Sequence, residues 1–138
     1  TGEVKVVGYW VVDDVGTMIN PVGVKGQIHG GVAQGLGQAL MERVVYHRES
    51  GQLLSGSFMD YAMPRAGDMP HIHIENNSVP TTSNPLGAKG AGEAGTVGAL
   101  PAVINAVNHA LASVGASPIE MPATSERVWA AIQHAKKA

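Results

Sequence analysis

Between Lys25 and Val45 apolar residues recur at helical spacing, with Ile28, Val32, Leu36, Ala39 and Leu40 on one face, yet Gly26, Gly30, Gly31, Gly35 and Gly37 lie inside the same run. Each glycine costs a helix interior up to about 1 kcal/mol relative to alanine. A helix so burdened forms only where something approaches its backbone closely, either a neighbouring element or a ligand. Any fold available to this chain has to supply that approach.

The remaining pattern supplies few elements. "VKVVGYWVV", Val4 to Val12, is rich in β-branched and aromatic residues and reads as a buried strand that stops in the turn chemistry of "DDVGTMINP". A short strand is expected around Gln52 to Ser57, followed by an irregular passage through "DYAMPRAGDMP". "HIHIENNSV", His71 to Val79, alternates as an amphipathic strand with Ile72 and Ile74 on one face and His71, His73 and Glu75 on the other. A helix is expected from Thr96 or Gly98 to about Val114, with Leu100, Val103, Val107, Leu111 and Val114 as its stripe, Pro101 in its first turn and Gly115 ending it. A last helix runs from about Thr124 to Lys136 and buries Val128, Trp129 and Ile132. Separated strands with about three helices, only one of them between plausible strands, define an α+β fold.

With 138 residues the chain holds one core, and residues 1–138 are read as a single partial domain. Charged residues are 14% of the chain, well below the roughly 25% usual for soluble domains, so much of its surface is made to be covered. A net charge of −2 without a basic block offers no footprint for nucleic acid or an anionic membrane. The absence of cysteine excludes a disulfide frame, a thiolate metal site and a cysteine nucleophile. No apolar run is long enough to span a membrane, and the cytoplasm is the expected compartment.

Gly90-Ala91-Gly92-Glu93-Ala94-Gly95 fits the dinucleotide fingerprint letter for letter. That fingerprint needs a hydrophobic strand directly before it, whereas Ser83-Asn84-Pro85-Leu86-Gly87 cannot be a central strand, and no acidic residue closes a second strand downstream. A phosphate-binding P-loop fails as well, because Lys89 is not followed by Ser or Thr. What remains is a glycine loop able to hug a ligand, opening a helix whose first amides are free. Within it Glu93 is either a residue of the first turn that complements the helix dipole or a general base. Gly31-Val32-Ala33-Gln34-Gly35 could serve helix contact alone, but Gln27, His29, Gln34 and Gln38 interleave the glycines with polar groups suited to a heterocycle. His71 and His73 share a strand face without a third ligand fixed by spacing, and no nucleophile elbow occurs.

Four ordered stretches, "DVGTMINP" (14–21), "KGQIHGGVAQGLGQAL" (25–40), "DYAMPRAGDMP" (60–70) and "NPLGAKGAGEAGTVGALPAVINAVNHAL" (84–111), together resemble the C-terminal part of the molybdopterin-binding large subunit of the xanthine oxidase family. The nearest flavour is the carbon monoxide dehydrogenase and aldehyde oxidoreductase group. The resemblance covers nearly the whole chain and implies the C-terminal portion of a molybdenum cofactor-binding domain. Such enzymes oxidise an aldehyde, carbon monoxide or an N-heterocycle with water-derived oxygen at a molybdenum–pterin centre, and no protein side chain is required as a metal ligand. It further implies that Glu93 is the active-site base, that Gln27 borders the metal, and that the backbone of Lys89, Gly90, Ala91 and Gly92 approaches the pterin. Gly26, Gly30 and Gly31 would present amides to the phosphates of a cofactor in its cytosine dinucleotide form. FAD and iron–sulfur clusters of the 2Fe-2S type are expected on partner subunits, and the substrate is a small molecule. The alternative is a non-catalytic packing, assembly or cofactor-holding piece.

Family large subunits are several times longer, and the chain starts at Thr1 rather than Met, so a fragment or split subunit is expected. An assay of the isolated chain with an aldehyde and a dye acceptor is expected to show little or no turnover, since half of the site would be absent.

Overall fold

Asn20 and Pro21, read above as turn residues, start the first long helix. In the computed structural model, which describes residues 1–137, α1 spans Pro21–Leu40. Asn20 is extended and its Oδ1 accepts from the Gly23 amide at 2.9 Å, while Pro21 loses nothing at the first helical position, where an amide has no partner within the helix. The helix thus begins ahead of Lys25 and ends short of Val45. At its end the Met41 and Glu42 amides both fold back to the Gly37 carbonyl, and the Ala39 carbonyl is taken by the Ala123 amide at 2.7 Å.

Two strands, β1 (Tyr9–Asp13) and β2 (Ile72–Asn76), pair in parallel, in register from Tyr9 with Ile72 to Asp13 with Asn76. α1 lies in the connection between them. The strand expected from Val4 therefore begins late, because β2 offers its ladder only from Ile72; Val4 and Val6 pack on the core as irregular chain. β2 keeps the expected alternation, with Ile72 and Ile74 inward and His73 and Glu75 outward. The outward Trp10 stacks on His73 with ring centres 5.1 Å apart. The strand expected at Gln52 to Ser57 reduces to a single bridge between Tyr46 and Leu53.

The other helices are α2 (Ala94–Ala112) and α3 (Ser125–Ala135), so the α+β class with three helices holds. α2 starts earlier than expected, which puts Pro101 inside the helix rather than in its first turn and leaves the Val97 carbonyl without its usual amide. Gly115 ends the segment in the left-handed region, with φ +74°. Ile28, Val32 and Leu36 form the centre of the core with Ala99 and Val103, and a second cluster joins Val107 and Leu111 to Ala123 and Val128. Trp129 and Val114, expected inside, are about half exposed, because none of the described residues covers them fully.

Four glycines of α1 divide into two sets. Gly31 and Gly35, one turn apart, meet Gly95 and Ala99, one turn apart on α2. A Cβ on Gly31 would lie 2.7 Å from the Thr96 nitrogen, and one on Gly95 would lie 2.6 Å from the Ile28 carbonyl oxygen. The two backbones touch where side chains would otherwise hold them apart. Around Gly26 and Gly30, by contrast, nothing among the described residues lies within 4 Å of where a Cβ would stand. Gly35→Val is expected to destabilise the fold by about 1–3 kcal/mol through overpacking. Gly26→Ala is expected to leave stability unchanged or raise it by up to about 1 kcal/mol. Denaturant midpoints of the two variants check the contrast.

Candidate functional site

The long connection from Pro80 to Gly92 is held by two side chains. Asn84 Nδ2 donates to the Ala88 carbonyl at 2.9 Å and its Oδ1 accepts from the Ala88 amide at 3.2 Å, closing the turn that contains Gly87. Asp14, one residue past β1, reaches the same turn from the other side. Its Oδ2 accepts from Lys89 Nζ at 2.5 Å, and its Oδ1 accepts from the Gly16 amide at 2.9 Å and the Val79 amide at 3.0 Å. Main-chain bonds back this clasp: the Lys89 amide donates to Val15 and the Thr17 amide to Gly87, each at 2.9 Å. Gly16, at φ +62°, faces the Gly87 carbonyl so closely that no side chain fits there.

Adjacent carboxylates take opposite electrostatic paths here. The Lys89 hydrogen bond first, and then the Val79 and Gly16 amides, lower the Asp14 pKa to about 2. Burial raises that of Asp13.

Past Lys89 the loop offers backbone. Among the described residues, no backbone partner accepts the amides of Gly90, Ala91, Gly92 or Glu93. Among the described residues, none beyond the chain neighbours has an atom within 4 Å of a would-be Cβ on Gly90 or Gly92. Glu93 is exposed and occupies the N-cap of α2 rather than its first turn; its side chain makes no capping bond, while its carbonyl accepts from the Thr96 and Val97 amides at 3.0 and 3.1 Å.

A cavity of about 300 Å³ lies between the start of α1, the segment after β1 and the glycine loop. Gln27, Lys89 and Ala91 line it together with Val15, Thr17 and Asn20, so three of the residues singled out from sequence meet there across distant parts of the chain. Glu93 stands two residues beyond Ala91 and is not among the lining residues. Gly26 and Gly30 are exposed on α1, and Gly31 is turned into the seam with α2. The expectation that Gly26 to Gly31 form an amide-presenting turn is corrected: they lie in the interior of α1, where amides bond to carbonyls four residues earlier. The free amides belong to the loop at Gly90 to Glu93 instead. A larger cavity, lined by Met41, Phe58, Tyr61 and Arg65 among others, contains none of the candidate residues.

Asp14 and Asn84 escaped sequence reasoning. Asp14 and Lys89 are 75 positions apart, so no local spacing connects them. Asn84, four residues from its partner, was legible as loop chemistry but not as a staple.

The site offers open glycines, backbone amides and the carboxamides of Asn20 and Gln27, with the one cation among the described residues lining the cavity, Lys89, paired with Asp14. Among the described residues, no group of three or more His, Asp or Glu side chains is placed to hold a metal ion. No described helix is long and apolar enough to cross a membrane. Gly26 and Gly30 cost α1 stability without serving the packing of this chain, which fits a bulky group or polypeptide seated against them from outside.

The comparison with known proteins identifies the class: the chain belongs to the molybdopterin cofactor-binding domain family, whose model matches residues 1–70. It is 40% identical over 133 residues to the carbon monoxide dehydrogenase large chain of Hydrogenophaga pseudoflava, covering 96% of this chain and 16% of that one. It is 44% identical over 128 residues to the nicotine 6-hydroxylase large subunit of Paenarthrobacter nicotinovorans, covering 93% of this chain and 16% of that subunit. The structure of reconstituted CO dehydrogenase from Oligotropha carboxidovorans superposes with a TM-score of 0.93 at 36% identity, over 99% of this chain and 17% of that one.

Asp14 titrates in the fold below its ordinary value of 3.8, so its three bonds contribute stability in full above that pH and lose it as the pH falls towards about 2. Asp14→Asn is expected to flatten the dependence of the unfolding midpoint on pH within that window, as followed by thermal melts in acidic buffers.

Proposed function

We propose that this chain is the cofactor-holding part of a molybdenum hydroxylase, with Glu93 as its base. The carrying observation is the placement of Glu93: an exposed carboxylate, uncommitted to its own helix, at the end of a backbone-only loop whose start lines a cavity with Gln27. The bound cofactor supplies the redox centre that accepts electrons from the substrate carbon. Glu93 accepts the proton released as water-derived oxygen bonds to that carbon. Gln27, both donor and acceptor, orients the cofactor from the α1 side. The amides of Gly90, Ala91 and Gly92 donate to its oxygens, and the glycines let it approach the backbone. Lys89 contributes main chain, since its ammonium is held by Asp14.

The cytosine dinucleotide form suits the free amides of the loop, which take the phosphate-binding part expected of Gly26 to Gly31. Gly26 and Gly30 then serve by leaving room, and Gly31 by setting α1 against α2. The similarity to large subunits of carbon monoxide dehydrogenase and nicotine 6-hydroxylase supports a small-molecule substrate of the aldehyde, carbon monoxide or N-heterocycle kind. It also supports a complex in which the rest of the large subunit completes the site and partner subunits with FAD and iron–sulfur clusters carry electrons away. The same reading puts the enzyme in the cytoplasm.

A packing role alone accounts for Gly31, Gly35 and Gly95 but leaves Gly26, Gly30, Gly90 and Gly92 without a reason. In the intact enzyme, Glu93→Gln is expected to lower kcat by about 10²- to 10⁴-fold while molybdenum content is retained. Turnover close to that of the unaltered enzyme would leave the base reading untenable and favour packing and assembly.

A further inference from the structure

Glu93 rides on a short span between two anchors. Beyond it, Gly95 lies against Ile28 with no room for a side chain. Before it, Lys89 is tied to Asp14 and, through its amide, to Val15. Between the anchors Gly90, Ala91 and Gly92 donate to no backbone partner among the described residues, and glycines on either side of Ala91 leave the span without stiffness of its own. The anchors therefore decide where the Glu93 carboxylate stands.

We propose that Asp14 is a positioning residue for the base: by clasping Lys89 it fixes the start of the span that carries Glu93. This rests on the reading of Glu93 given above. Asp14 is built for the task because its two oxygens gather three segments of chain, through Gly16, Val79 and Lys89. The Gly16 and Val79 amides aim its carboxylate from behind, so that it meets the ammonium as part of a fixed frame. Its ionised form persists far below neutrality, with the pKa lowered to about 2, so the carboxylate is available to the ammonium throughout the ordinary pH range.

A misplaced base harms the transition state more than substrate binding, so loss of the clasp appears in kcat and not in KM. In the intact, molybdenum-loaded enzyme, Asp14→Asn and Lys89→Met are each expected to lower kcat per bound molybdenum by about 10-fold and to leave KM within about twofold. The double variant is expected to be no slower than the slower single, because both remove one interaction. Amide hydrogen exchange in a peptide spanning residues 88–95 is expected to accelerate in both singles, a readout independent of turnover. On a Glu93→Gln background Asp14→Asn is expected to cost nothing further.

An unchanged kcat per molybdenum overturns the proposal, as does activity lost only in proportion to molybdenum, unaltered exchange, or a full additional loss on the Glu93→Gln background. Glu93→Gln alone separates the two readings. If it turns over normally, the base assignment fails and the clasp with it; if it is slow while Asp14→Asn is not, only the clasp fails.

Discussion

The backbone contact of α1 with α2 organises the molecule. Gly31 and Gly35 on one helix and Gly95 and Ala99 on the other remove the side chains that would separate the two cylinders, and Ile28, Val32, Leu36 and Val103 close around the contact as its apolar flanks. Burial of those flanks, and not helix propensity, keeps a glycine-laden α1 helical. The parallel pair of strands packs on the same apolar cluster through half-buried Tyr9, Val11, Ile72 and Ile74. Without the seam, neither the sheet nor the start of α2 would have a surface to rest on.

The proposed function rests on where the seam ends. Gly95, the second residue of α2, lies against the Ile28 backbone, so the chain entering α2 leads directly into the contact with α1. Glu93 is placed at that entry, next to amides that no backbone partner takes up among the described residues. A helix N-terminus that is rigid behind and open in front can meet a cofactor without reorganising. Three helices and two strands thus act as a support for a handful of atoms.

Much of this was legible in the sequence, and the parts that were not share a cause. The excess of glycine in a helical pattern announced a close approach, and the alternation of "HIHIE" gave the inward face of β2 correctly. The order of four stretches pointed to the family, and the fingerprint letters around Gly90 were rightly denied a dinucleotide-binding strand. Boundaries failed where a local signal was given the wrong weight: Asn20-Pro21 is a helix cap and first turn as readily as a turn, and only the packing of α1 decides between them. The pairing of β1 with β2, the division of the glycines into two sets and the bond between Asp14 and Lys89 are contacts across long stretches of chain, which no periodicity encodes. Trp129 and Val114 stay about half exposed, and amphipathic spacing cannot tell a buried stripe from a bare one.

The separation of Asp14 from Lys89 by 75 positions has a kinetic side. Closing so long a loop from the open chain costs entropy that one partly solvated ion pair does not offset. The two residues can meet only after the sheet and the helical seam have brought their segments together, so the loop reaches its final shape late in folding. By the same token it can open and close while the core stays intact, and the order in which the molecule is assembled is written into the order in which it can be locally undone.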